Sequence, residues 1–196
     1  MTAGGATGEG ASTRPSVGAY ASRMTPLPRH IVITGLMGAG KTTTGRALAS
    51  RLGRVWHDSD RDIEAGTGRT VRELRDSDGV DAMHAREAAH LLDALARPES
   101  SVISAAASVI DDARCRDALG DPDVAVVWLH APPAVLASRF DSTDDHRPAY
   151  GEHPEAFLAA QAAQREPLAR AIGAHMVDVD HLTRTEAIAR VLDALG

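Results

Sequence analysis

Gly35-Leu-Met-Gly-Ala-Gly-Lys-Thr42 satisfies the pattern G-x-x-x-x-G-K-[ST] at every fixed position. It stands between a short β-branched run, Ile31–Thr34, and a helix-patterned stretch, Thr42–Leu52. A glycine turn that leads from a strand into a helix points backbone N–H groups at phosphates, and the helix start adds partial positive charge. Gly35, Gly38 and Gly40 permit the turn; Ala39 and Thr43 belong to the same cradle. Lys41 is placed to bridge the β- and γ-phosphates, and the Thr42 hydroxyl to take one magnesium position. ATP and Mg2+ are therefore the expected cofactors.

The remaining text alternates strand and helix patterns. Further strands are expected at Arg54–His57, Ser101–Ser104, Val124–Leu129 and His175–Val179. Helices are expected at Val71–Arg75, Val80–Leu95, Asp112–Leu119, Pro132–Phe140, Glu155–Ile172 and Arg184–Leu195. Apolar strands alternating with helices specify a parallel sheet covered on both faces. The fold class is thus α/β: a P-loop three-layer α/β/α domain with about five parallel strands, similar to the nucleoside monophosphate kinases, and with a lid loop. Residues 1–29 are rich in Gly, Ala, Ser and Thr without apolar periodicity, which predicts a disordered tail; Met24 is a second candidate start. Residues 30–196 form one domain, and the polar, Gly/Pro-punctuated stretch at about 141–152 is the expected lid.

Composition narrows the partners. Formal charge is −6, with no cluster of basic residues, which argues against nucleic acid. The longest apolar run, Val124–Leu129, is too short to cross a bilayer. Cys115 is the single cysteine, so no intrachain disulfide forms; it reads as a small buried hydrophobe in a reducing, cytoplasmic setting. A cytoplasmic monomer with a small-molecule partner, without nucleic acid or membrane, is the expectation. Lys41 is the sole lysine, the other 20 basic residues being arginines. It stands where a compact ammonium reaches into a cradle that a broad guanidinium would not fit.

Beyond the P-loop, several segments keep one order and spacing: Gly45–Ala49 with Leu52-Gly53, Asp58-Ser59-Asp60, Ile63-Glu64, Thr67–Val71, Val126–Leu129 with Pro133, Arg147-Pro148 and Arg165–Leu168. From Ile31 to Gly196 the chain resembles the shikimate kinase family. The resemblance implies that Asp58 helps hold magnesium through water. It implies that Asp60 receives the acceptor hydroxyls and takes the transferred proton. It places Ser104 near the magnesium waters, Arg139 against adenine, Arg147 on the lid over the phosphates, and Arg165 on the acceptor's carboxylate. Lys41, Asp60 and Arg147 are then the catalytic set. A plainer reading of Asp58-Ser59-Asp60, a helix cap followed by a first-turn acid, stays open.

Two departures fall on the acceptor side. Where the family has Phe-Arg, a second carboxylate clamp, this chain has Met83-His84; Arg86 lies two residues round a helix, on roughly the opposite face. Glu87, which in the family orients that arginine, is retained. Where the family has three glycines, this chain has Ala106-Ala107-Ser108, which adds side chains where bare backbone approached the acceptor. The expected substrate-binding set is Asp60, His84, Ala106, Ala107, Ser108 and Arg165. The implied activity is transfer of the γ-phosphate of ATP to a hydroxyl of a small molecule, shikimate first. A kinase of another polyhydroxylated acid, sugar or cyclitol is the alternative, and a non-catalytic nucleotide-binding protein is the alternative of another class.

Overall fold

The computed structural model describes residues 27–139 and 153–196. Five parallel strands form one sheet in the order β2-β3-β1-β4-β5: β1 (His30–Gly35), β2 (Val55–Asp58), β3 (Ser101–Ser104), β4 (Val124–His130) and β5 (His175–Asp178). β1 and β3 are buried along their whole length, and so are the five central residues of β4. Strands covered on both faces are selected as unbroken apolar runs rather than alternating ones. Trp128, fully buried on β4, is the largest side chain of the core.

Among the described residues eight helices accompany the sheet: α1 (Lys41–Leu52), α2 (Ser59–Thr67), α3 (Val71–Asp78), α4 (Val80–Leu95), α5 (Ala113–Leu119), α6 (Pro133–Ser138), α7 (Pro154–Ala171) and α8 (Arg184–Ala194). Helix α1 lies directly over β3 because residue 45 is glycine. A Cβ there would collide with the Ser104 hydroxyl and stand 3.2 Å from the indole nitrogen of Trp56. Those two side chains are themselves hydrogen-bonded, Trp56 Nε1 to Ser104 Oγ at 3.0 Å, so neither can give way freely. Cys115 is buried in α5 and directs its thiol at the Ala88 carbonyl, in keeping with its reading as a small core residue.

The strands appear where the apolar runs place them, within a residue or so at each end. Helix α2 was foreshadowed only by the cap-and-acid reading of Asp58-Ser59-Asp60, and the 3-10 segment over Ala107–Asp111 was not expected. Helix α2 is short and mostly polar, and its signal lies in its ends. Asp58 caps it by accepting from the Arg61 amide at 3.3 Å, and Gly68 closes it in the left-handed conformation. Helices α2, α3 and α4 share a small apolar cluster, Ile63, Val71, Leu74 and Met83, apart from the main core. They form a side wall beyond the C-terminal ends of β2 and β3.

The tail expected at residues 1–29 falls outside the described residues up to residue 26. Its last residues are fixed: Arg54 donates to the carbonyls of Pro28 at 2.7 Å and Arg29 at 3.2 Å. The expected lid, with Arg147, also lies outside the described residues.

Candidate active site

The order β2-β3-β1-β4-β5 puts successive connections from β1 on opposite sides of it, and such a reversal opens a crevice at the strands' C-terminal ends. The glycine loop leaves β1 into that crevice. Gly35 has φ 138°, and a Cβ on it would run into the Leu129 carbonyl of β4, so the first turn of the loop admits no side chain. Gly38 and Gly40 are also left-handed, at φ 80° and 89°. The Ala39 amide donates back to the Leu36 carbonyl at 3.2 Å, so that amide is spent inside the loop. Lys41 Nζ donates to the same carbonyl at 3.2 Å, which arches the side chain across the loop mouth. Thr42 is exposed at the helix start and Thr43 half-buried behind it. Arg139, just past α6, donates to the Gly38 carbonyl at 3.2 Å and to those of Val179 and Asp180 at 3.0 and 2.8 Å. It ties the loop to the segment after β5.

Asp58 ends β2, in register with Ser104 at the end of β3. Its Oδ1 caps α2, while its buried Oδ2 has no hydrogen-bond partner among the described residues. A buried carboxylate oxygen left over beside a phosphate loop is an acceptor awaiting a donor or a cation's water. Ser104 is fully engaged, donating to the Lys41 carbonyl at 3.3 Å and accepting from Trp56, so it anchors α1. Asp60 is exposed in the first turn of α2. The cap-and-acid reading of this segment is therefore correct as local structure. It does not compete with a chemical role, because both carboxylates also line the cavity beside Lys41.

That cavity, about 370 Å³, brings together Lys41, Thr42, Asp58, Asp60, His84, Glu87, Ala106, Ala107, Ser108 and Arg165. The rest of the predicted cradle, Gly35, Gly38, Ala39, Gly40 and Thr43, adjoins it through the loop, and Arg139 lies behind. Arg86 turns away to pair with Asp78 at 2.6 Å, as its helical offset predicts. Alanine at 106 fits without strain, since the backbone there is extended at φ −61°, ψ 150°.

Glu87 has no arginine at position 84 to orient; instead the Ser108 hydroxyl donates to it. Burial pushes its carboxyl up to about 7, against the lowering effect of the Ser108 bond, and the charge of Asp60 raises it further. Below the unfolded value of about 4.5 both states are protonated, and the stability due to the neutral carboxyl is lost as pH rises through about 7. Glu87→Gln should therefore come close to wild type at pH 4 and exceed it at pH 8. Discounted for the part of the carboxyl that faces the cavity, the gain is about 2 kcal/mol, or roughly 4–8 °C in melting temperature. Thermal unfolding at the two pH values checks this; equal melting temperatures at both would place Glu87 in water.

His84 is held below the usual imidazole range, first by burial and then by the charge of Arg165, with Asp111 acting in the opposite direction. Arg165 is only 6% exposed. Its Nε and Nη2 both donate to Asp111 Oδ2, at 2.9 and 2.7 Å. No pattern in the sequence marks Asp111, which stands beside the helix cap Asp112 and looks like part of that cap.

Among the described residues no helix is long and apolar enough to cross a membrane, and no group of three or more His, Cys, Asp or Glu is arranged to hold a metal by itself. Residues 37–196 match the family model "SKI: Shikimate kinase". The shikimate kinase of Halorhodospira halophila is 36% identical over 169 residues, 86% of this chain and 94% of the relative. That of Symbiobacterium thermophilum is 35% identical over 169 residues, covering 85% and 95%. The structure of shikimate kinase from Acinetobacter baumannii in complex with shikimate superposes with a TM-score of 0.77 at 31% identity, covering 86% of this chain and 92% of the other. A gluconokinase from Sinorhizobium meliloti, 23% identical with a TM-score of 0.57 and coverage of 86% and 92%, shares the fold.

Proposed function

The chain belongs to the shikimate kinase family, and from that premise we propose that it transfers the γ-phosphate of ATP to a hydroxyl of shikimate, giving shikimate 3-phosphate and ADP. The observation that carries this reading is that Lys41, Asp60 and Arg165 line one cavity. It offers a phosphate ligand, a proton acceptor and a carboxylate ligand in the arrangement that a polyhydroxylated acid requires.

The glycine loop and the start of α1 hold the phosphates. Magnesium fits the residues present: the exposed Thr42 hydroxyl and, through water, the spare Oδ2 of Asp58 would hold it. When bound, the ion neutralises phosphate charge. Asp60 accepts a hydrogen bond from the acceptor hydroxyl and takes its proton as the oxygen attacks phosphorus. A new O–P bond forms, the bond to the β-phosphate oxygen breaks, and ADP departs with that electron pair. Lys41 follows the negative charge from the γ-phosphoryl to the β-phosphate. Arg165 holds the acid group of the acceptor. By the family resemblance Arg139 lies against adenine and Arg147 closes over the phosphates; Arg139 donates to the Gly38 carbonyl of the loop.

The test is ADP release with shikimate, quinate, gluconate and a panel of cyclitols, with the phosphorylated product identified by mass. Shikimate-dependent ADP release with phosphate on the acceptor is the expected result. Release with only another acceptor, or with water alone, would overturn the proposal.

A further inference from the structure

The acceptor end of the cavity is built differently from its phosphate end. Arg165 is the one arginine on α7 that faces the cavity, and it comes with a carboxylate already attached. Asp111 Oδ2 takes two donors from the same side of the guanidinium, Nε and Nη2. That side is one of the two on which a carboxylate is gripped by parallel hydrogen bonds. Asp111 is in turn fixed by the backbone, as the last residue of the 3-10 segment that follows Ala106, and Gln164 of α7 reaches its other oxygen at 3.4 Å. The pair sits between α7 and that segment, so Arg165 presents to the cavity its outer N–H groups and a neutralised charge.

One other arginine, Arg75, lines the cavity, on the α3 side wall. Position 84 carries a histidine whose protonation is disfavoured by burial and by the charge of Arg165. Arg86 is committed to Asp78 and does not line the cavity. At this end the Ser108 hydroxyl donates to the retained Glu87 carboxyl.

We propose that Asp111 is a positioning residue that sets acceptor selectivity: by holding Arg165 it weakens the grip on an acceptor's carboxylate, so that the pocket selects a small ring by its hydroxyls more than by its acid group. This rests on the reading of the cavity as the acceptor site. Its consequence is a protein that barely distinguishes a polyhydroxylated acid from the same molecule with the acid masked.

The experiment is calorimetric titration in the presence of ADP with two ligands, shikimate and its methyl ester, on wild type and on Asp111→Asn. In wild type the two should bind within about threefold of each other, and this arm needs no variant. Asparagine keeps one oxygen to accept from Arg165 and removes the charge. Shikimate should then bind about ten- to a hundredfold tighter, as expected for one freed charged hydrogen bond, while the ester changes less than about twofold. A purely structural role for Asp111 would move both ligands together, and that result overturns the proposal. So does a wild type that prefers the acid by more than about thirtyfold, or an Asp111→Asn protein that binds shikimate no better. Absence of binding by either ligand to either protein would overturn it too. Phosphotransfer is read separately: selective binding without transfer leaves the selectivity of Asp111 standing and removes the kinase reading instead.

Discussion

Lys41→Ala should reduce turnover at saturating ATP by about 10²- to 10³-fold, with a melting temperature within about 2 °C of wild type. The two halves of this result have separate causes. The ammonium is half-buried over the loop, where it donates to the Leu36 carbonyl at 3.2 Å, and it is not part of the core. Its removal leaves Gly35, Gly38 and Gly40 with their backbone geometry, because that geometry is set by absent side chains and by β4, not by the lysine. What is lost is a charge that follows the γ-phosphoryl group. Such a charge acts more strongly in the transition state than in the bound nucleotide. Lys41→Arg should recover little, since a planar fork does not fold back over a turn this tight. Steady-state kinetics beside a thermal melt decide the matter. Turnover within a few-fold of wild type would withdraw the P-loop from the chemistry.

The phosphate half of the site was legible in the sequence because its requirements are local. A turn that wraps a phosphate needs glycine at fixed spacing, a strand before it and a helix after it, all within about a dozen residues. The strands of the sheet were legible for a related reason: burial on both faces demands runs such as Val124–Leu129, which no other element needs. Helix α2 was hidden because its apolar face is Ile63 and little else, its stability coming from a cap at Asp58 and a glycine stop at Gly68. The acceptor end was legible only as a set of departures. That residue 84 lacked the family's arginine could be read directly. That Arg165 is already paired could not, since its partner is 54 positions away on another element and carries no motif. Side-chain pairing across elements is a property of the packed fold. Asp111 looked like a second capping residue next to Asp112, and only the geometry separates the two.

Asp60→Asn should lower turnover by about 10²- to 10⁴-fold, the range for removing a positioned general base, while the affinity for ATP stays within a few-fold. The substitution is chosen because it isolates proton transfer. Asparagine keeps the size of the side chain and one oxygen with which to orient an acceptor hydroxyl, but it cannot take that hydroxyl's proton. As a first-turn acid, Asp60 also interacts with the positive end of α2, an effect of about 0.3–1 kcal/mol at an exposed site. The melting temperature should therefore fall by no more than about 4 °C. The competing view, that Asp60 merely suits the start of a helix, predicts that small fall and no kinetic change. A second readout comes from Glu87, whose carboxyl the charge of Asp60 helps to hold up near 7. Without that charge Glu87 ionises more easily in the folded protein, so the loss of stability between pH 5 and pH 8 should shrink in Asp60→Asn. A protein in which turnover collapses and this pH dependence flattens has Asp60 inside the cavity and at the reaction centre. Flattening without loss of turnover would leave it in the cavity but outside the chemistry, and the proton would then have to leave by another group.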